Sequence, residues 1–199
     1  MRYGVFGGTF DPPHNGHLAL AEAACRQLGL ERVLWVVTAD PPHKHGLRLS
    51  PVNDRFDMVA AAIAGQPHYE ISRVDMDRPG PHWAADTVAL LSQSHPGAEL
   101  VYLMGSDSLR DLPTWGRPQE LLTHASLGVL RRPGAEVAPA VLEGPLPGIS
   151  SKVAFVTAPA VNVSSHEIRR RVAHGEPIDS LVPATVARII HKRGLYRNE

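Results

Sequence analysis

The sequence predicts a doubly wound α/β fold on a parallel sheet, and two observations carry it. Six short runs bounded by turn residues read as strands, most of them nearly all apolar, and helical patterns lie between most of them. Strands buried on both faces read as continuous apolar runs, and alternation with helices is the mark of parallel strands joined by crossovers. In such sheets ligands bind beyond the carboxyl ends of the strands, where the strand order reverses.

The elements follow in order. A first strand is expected over 3–6, then a Gly/Pro-rich loop and an amphipathic helix over 17–28. The run VLWVV predicts a strand over 33–37, and NDRFDMVAAAIA a helix over 53–64. A strand over 69–72, a helix over 84–94 and the strand LVYLM over 100–104 come next, with a short helix around 118–123. Strands over 127–130 and 153–156 flank the segment 132–151, which is rich in Pro and Gly without a period and is expected to be a long surface connection. Two helices, over 165–174 and 183–192, give a helical C-terminal end.

The 199 residues suit one domain spanning 1–199, with no internal repeat and no low-complexity tract. Hydrophobic residues at 43% and charged residues at 20% exclude wholesale disorder. Net charge is zero and no Lys/Arg tract is present, so nucleic acid is not an expected partner and any anion site must be local. The longest apolar stretches, such as MVAAAIAG, are too short for a bilayer, so no membrane is expected either. The first residues run straight into a strand with no apolar leader, and a cytoplasmic protein is the expectation. Cys25 is the single cysteine, which excludes an intrachain disulfide; among Leu18, Ala21 and Leu28 at helical spacing it reads as a buried structural thiol. Of the 11 His, His68, His82, His95, His124, His174 and His191 stand alone and receive no role.

The stretch GVFGGTFDPPHNGHL concentrates the chemistry. Gly7 and Gly8, followed by Thr9 and Phe10, let the backbone turn and bring N–H groups close to a ligand, although a glycine pair serves a plain strand-to-helix turn equally well. His14 and His17 are three apart at a helix start, which puts both rings on one face, and helical side chains lean toward the N-terminus and so toward that loop. Gly16 between them permits close approach. A metal site is the competing use of such a pair, but no Cys, Asp or Glu stands with it at metal spacing, and a phosphate fits the positive helix end better. The glycine spacing is not the G-x-G-x-x-G of a dinucleotide-binding oxidoreductase loop. Farther on, Ser164 and Glu167 have capping-box spacing and Gly175 reads as a helix stop. The start of that helix, with Ser164, Ser165 and Arg169 one turn in, serves either as an ordinary cap with a solvated basic face or as a second phosphate site.

GGTFDPPHNGHL resembles the signature of the nucleotidyltransferase superfamily whose H-x-G-H element is related to the HIGH motif of class I aminoacyl-tRNA synthetases. More narrowly, the chain is similar to the bacterial nicotinate-nucleotide adenylyltransferase family through PPHK, GSDSL, PTWGRPQEL, RRPG, VSSHEIR and the terminal GLYR, in the family's order and over almost the full length. The resemblance implies a Rossmann-like nucleotidyltransferase fold and adenylyl transfer from ATP to nicotinate mononucleotide, giving deamido-NAD and pyrophosphate. It implies that His17 and His14 are catalytic, with His17 on the α-phosphate and His14 on the phosphate chain. It implies that Gly7, Gly8, Thr9, Phe10, Gly105, Asp107, Ser164, Ser165 and Arg169 bind ATP. The mononucleotide falls to Lys44, Trp83, Ala84, Thr87, Asp107, Trp115 and Arg132, with Trp115 stacking on the pyridine ring and main-chain donors at Trp83 and Ala84 taking the carboxylate. Mg²⁺ is expected to arrive with ATP. Two positions depart from the family pattern: His166 and Ala84 each stand where the family usually has Thr. The alternatives are another small-molecule nucleotidyltransferase (acting on pantetheine phosphate, on nicotinamide mononucleotide, or as a cytidylyltransferase) and a non-catalytic nucleotide-binding sensor.

Overall fold

The computed structural model describes residues 1–42, 49–131, 137–159 and 161–197. Six parallel strands, β1 (Arg2–Gly8), β2 (Arg32–Val37), β3 (Tyr69–Ser72), β4 (Glu99–Gly105), β5 (Ala125–Leu130) and β6 (Val153–Val156), form one sheet in the order β3-β2-β1-β4-β5-β6. The order reverses between β1 and β4, so the carboxyl ends of these neighbours flank the crevice that the fold class reserves for ligands.

Seven α-helices lie among the described residues: α1 (Asn15–Leu28), α2 (Val52–Ile63), α3 (Ala84–Ser94), α4 (Ser106–Asp111), α5 (Pro118–His124), α6 (Ser165–Ala173) and α7 (Ala184–Arg193). Side chains of a strand alternate between faces, and β2 shows the consequence. Leu34 and Val36 join the core made with Val88 and Leu91 of α3 and Leu121 of α5, whereas Val33, Trp35 and Val37 join the opposite core with Leu20 and Ala24 of α1 and Val59 and Ile63 of α2. This is why β2 reads as an unbroken apolar run. A third cluster joins Met58 of α2 to Ile168 of α6 and Val186 and Ile190 of α7. It docks the C-terminal helices beside the crevice. No described helix is long and apolar enough to cross a membrane.

The structure corrects four expectations. β1 runs on through Gly7 and Gly8, which pair regularly with Val36 and Val37, so these glycines do not make the turn. The turn falls instead at Phe10, with φ 48°. What Gly7 provides is space, because a Cβ there would lie 2.6 Å from the Tyr102 hydroxyl. The segment expected as a surface connection is anchored over its described part by Leu142, Leu146 and Ile149, all buried in the α3/α5 core. A helix absent from the expected elements, α4, follows β4 directly, beginning at Ser106 while Gly105 still belongs to the strand. Cys25 is half-buried, packed against the α1/α2 core, and burial pushes its thiol pKa up.

Candidate active site

A cavity of about 360 Å³ opens at the carboxyl ends of β1 and β4. Phe6, Gly7, Gly8, Thr9, Phe10 and His17 form one side, and His82, Trp83, Ala84, Thr87, Trp115 and Gly116 the other.

On the first side, the histidines straddle the start of α1. His14 is the N-cap, in extended backbone conformation, and its backbone N–H donates to Nδ1 of His17 at 3.1 Å. An amide can only donate, so His17 Nδ1 must present a lone pair, and the neutral ring carries its proton on Nε2. The two rings stack at 3.6 Å with an interplanar angle of 21°, and Phe10 meets His17 edge-on at 5.1 Å. His17 is thereby held as a donor at the crevice wall. His14, only 5% exposed, lies behind it. The first N–H of α1 is already taken, donated by Asn15 to Leu181 O.

The loop bearing Phe10 is tied down by residues far away in sequence. Arg55, on the buried face of α2 and 1% exposed, donates to four backbone carbonyls among the described residues, Thr9, Thr38, Ala39 and Ser50, at 2.8–3.1 Å. Burial lowers its pKa and the nearby Asp11 opposes that, so the guanidinium stays charged beneath the loop. Asp11, 1% exposed, accepts from the Ser50 N–H and from the Tyr196 hydroxyl. Arg169 donates to Asp11 O at 2.9 Å and Ser165 to Pro12 O at 2.9 Å, which brings the first turn of α6 to the same loop. Ser164 caps α6 by accepting from the Glu167 N–H at 3.1 Å. Arg170 and Arg171 pair with Glu167, holding its carboxyl down at about 2, and so face away from the loop that Arg169 touches.

The second side rests on a buried polar network. Asp75, 2% exposed, accepts from Arg78 and from the Thr87 hydroxyl, both at 2.8 Å. His82, expected to have no role, is 5% exposed and lines the crevice. It accepts from the Asp40 N–H through Nδ1, and its Nε2 faces Arg78 O at 3.2 Å, which joins the loops after β2 and β3. The Trp83 ring packs so closely on Gly116 that a Cβ there would come within 2.2 Å of it. Trp115 meets Tyr102 edge-on at 6.1 Å. Burial, helped by the Asp75 charge, pushes the Tyr102 pKa up and keeps the phenol neutral.

Of the residues singled out in the sequence, ten therefore meet at one cavity: Gly7, Gly8, Thr9, Phe10, His17, Trp83, Ala84, Thr87, Trp115 and Ser165. His14, Ser164 and Arg169 are outside its lining: His14 stacks on His17, Ser164 is the exposed cap next to Ser165, and Arg169 reaches Asp11 O. Gly105 ends β4 and Asp107 lies in the first turn of α4, whose Ser108 reaches the cavity. Lys44 and Arg132 lie outside the described residues. Thr87 turns its hydroxyl to Asp75 and the Trp83 carbonyl, so it braces the wall. Arg55, Asp75 and Arg78 are not singled out by the sequence, and His82 is given no role there. Only Arg55 left a signal, an arginine at i on a helical face that continues with Met58, Val59 and Ile63.

Residues 5–171 match the family model described as cytidylyltransferase-like. A protein of Thermomicrobium roseum named as a probable nicotinate-nucleotide adenylyltransferase is 45% identical, covering 98% of this chain and 92% of its own. One of the same name from Thermus thermophilus is 41% identical over 99% of this chain and 100% of its own. Among solved structures, nicotinic acid mononucleotide adenylyltransferase of Plasmodium falciparum, described in complex with NaAD, superposes with a TM-score of 0.80 at 17% identity, covering 100% of this chain and 98% of that one. At that identity the likeness concerns the fold.

Proposed function

Because this chain belongs to the cytidylyltransferase-like family and, within it, to the nicotinate-nucleotide adenylyltransferases, we propose that it transfers the adenylyl group of ATP to nicotinate mononucleotide. The carrying observation is that one cavity has His17 at one side and two tryptophans, Trp83 and Trp115, at the other. A polyphosphate suits the first side and a flat pyridine ring the second.

A 5′-phosphate oxygen of the mononucleotide attacks the α-phosphorus of ATP in line. The bond from the α-phosphorus to the bridging oxygen breaks, and pyrophosphate leaves with that oxygen. A phosphate monoester is already anionic, so the protein's task is to position the two substrates and stabilise charge. His17 Nε2–H donates to an α-phosphate oxygen as negative charge builds there. His14 acts mainly through His17, by holding its Nδ1 and stacking on its ring, and only secondarily on the phosphate chain. Arg169, Ser165 and the main chain of Gly7–Phe10 line the polyphosphate path, with Gly105 and Asp107 beyond it on the ATP side. Asp107 also reaches toward the mononucleotide. Trp115 stacks on the pyridine, and N–H groups at Trp83 and Ala84, at the start of α3, receive its carboxylate. Lys44 and Arg132 complete the phosphate contacts in this reading. Mg²⁺ enters as part of the Mg–ATP substrate; among the described residues no three His, Cys, Asp or Glu side chains cluster as a metal site.

The test is formation of deamido-NAD with stoichiometric pyrophosphate from Mg–ATP and nicotinate mononucleotide. Absence of both products overturns the proposal.

A further inference from the structure

One buried acid on the cavity wall has no place in the chemistry above. Asp75 is 2% exposed and lines the same cavity as Trp83, Ala84 and Trp115. Its Oδ1 accepts from Arg78 Nη2 at 2.8 Å and Nε at 3.3 Å, and from the Thr87 hydroxyl at 2.8 Å. Arg78 continues outward: its Nη1 lies 3.9 Å from Asp86, which Arg117 holds at 2.6 Å. Charges therefore alternate, Asp75, Arg78, Asp86, Arg117, from the cavity wall to the loop that carries Trp115. The Arg78 main chain is fixed as well, because His82 spans from its carbonyl to the Asp40 N–H.

A buried carboxylate on the wall of a site is costly and acts at long range unless a partner offsets it. If the pyridine end takes a carboxylate, an uncompensated Asp75 would repel that substrate and leave its neutral amide counterpart untouched. Arg78 is the nearest cation to Asp75 among the contacts described. We infer that the Asp75–Arg78 pair sets the charge the pyridine end presents, and that Arg78 is a specificity-determining residue for nicotinate over nicotinamide mononucleotide. The inference rests on the adenylyl-transfer reading above. It adds a specificity element to the main-chain donors at α3, and it acts through charge and without contact to the substrate.

A purely structural tie between the β3–α3 connection and α3 makes a different forecast. Loosening such a tie lowers use of both mononucleotides in proportion, whereas a charge effect changes their ratio, in opposite directions for the two partners. The experiment measures kcat/KM with Mg–ATP for both mononucleotides in the wild-type chain, Asp75→Asn, Arg78→Gln and Arg78→Lys, with a melting curve for each. Arg78→Gln is expected to lower the nicotinate/nicotinamide ratio by about tenfold and Asp75→Asn to raise it by about as much, the size expected of one charge in a partly screened site. Arg78→Lys, which keeps the charge, is expected to stay within about twofold of wild type in that ratio. Unchanged ratios in both Asp75→Asn and Arg78→Gln, or shifts in the same direction, overturn the inference and leave adenylyl transfer standing. A wild-type chain that uses neither mononucleotide overturns the functional reading itself, and this inference with it. If Asp75→Asn does not fold, the contrast between Arg78→Gln and Arg78→Lys decides alone.

Discussion

The Tyr196 hydroxyl donates to Asp11 Oδ1 at 2.7 Å across 185 positions of sequence. Both groups are buried, and Asp11 belongs to the loop that presents His17 to the cavity. The C-terminal helices are thus fastened to the candidate active site by a charge-assisted hydrogen bond. Burial and the Asp11 charge push the Tyr196 pKa up, so the phenol remains a donor throughout the working pH range.

Tyr196→Phe removes that donor and leaves a buried carboxylate oxygen short of a partner. A loss of about 1–3 kcal/mol of stability is expected, read by urea denaturation, with a raised KM for ATP. A variant as stable as wild type would mean that Asp11 finds another donor.

Arg55→Met should be more damaging. It withdraws the guanidinium from the carbonyls of Thr9, Thr38, Ala39 and Ser50 and leaves them buried. A loss of roughly 3–5 kcal/mol is expected, the range seen when one partner of a buried charge interaction is removed. Arg55→Lys should recover part of the stability while leaving the ATP KM raised, since an ammonium cannot span the same carbonyls. Melting curves together with ATP saturation check both variants.

Most strands were legible because they are short apolar runs with turn residues on both sides, and β2 shows why: both faces of the sheet are covered, so Val33–Val37 carries no polar position, whereas the edge strand β3 carries Glu70 and Ser72. The glycine loop and the His14/His17 pair were legible through local spacing, which a single helix start converts into geometry. Asp75, Arg78 and His82 were not. Their meaning lies in contacts to Thr87 and Asp40, on different loops and helices, and nothing local distinguishes a buried Asp75 from the solvated acid two residues on, Asp77. Arg55 is the intermediate case. Its position on the apolar stripe of α2 flags an arginine facing the core, but the four carbonyls it serves appear only in the folded chain.

His17→Ala should lower kcat by roughly two to three orders of magnitude, as expected for loss of one pre-positioned donor to transition-state charge. It also frees the His14 N–H, so a stability cost of about 1 kcal/mol is expected alongside. Turnover within a few-fold of wild type would remove His17 from the mechanism.

Arg169 and Arg171 stand two apart on α6 yet face different partners, Asp11 O and Glu167. Arg169→Lys is expected to raise the KM for ATP about tenfold, because a planar fork is replaced by a point charge. Arg171→Lys is expected to leave that KM unchanged, since an exposed ion pair contributes little. Equal effects in steady-state kinetics would place both on an ordinary solvated face.

The most direct measurement of the central claim is pyrophosphate release from Mg–ATP by the wild-type chain, run in parallel with nicotinate mononucleotide, nicotinamide mononucleotide and phosphopantetheine. In the proposed reading, main-chain donors at α3 would hydrogen-bond a carboxylate through its oxygens, whereas an amide would turn an NH₂ toward donors that cannot accept it, at about 1–3 kcal/mol per unpaired group. The account therefore predicts rapid release with nicotinate mononucleotide, a kcat/KM at least about tenfold lower with nicotinamide mononucleotide, and none with phosphopantetheine. Release with phosphopantetheine alone, or with none of the three, would contradict it.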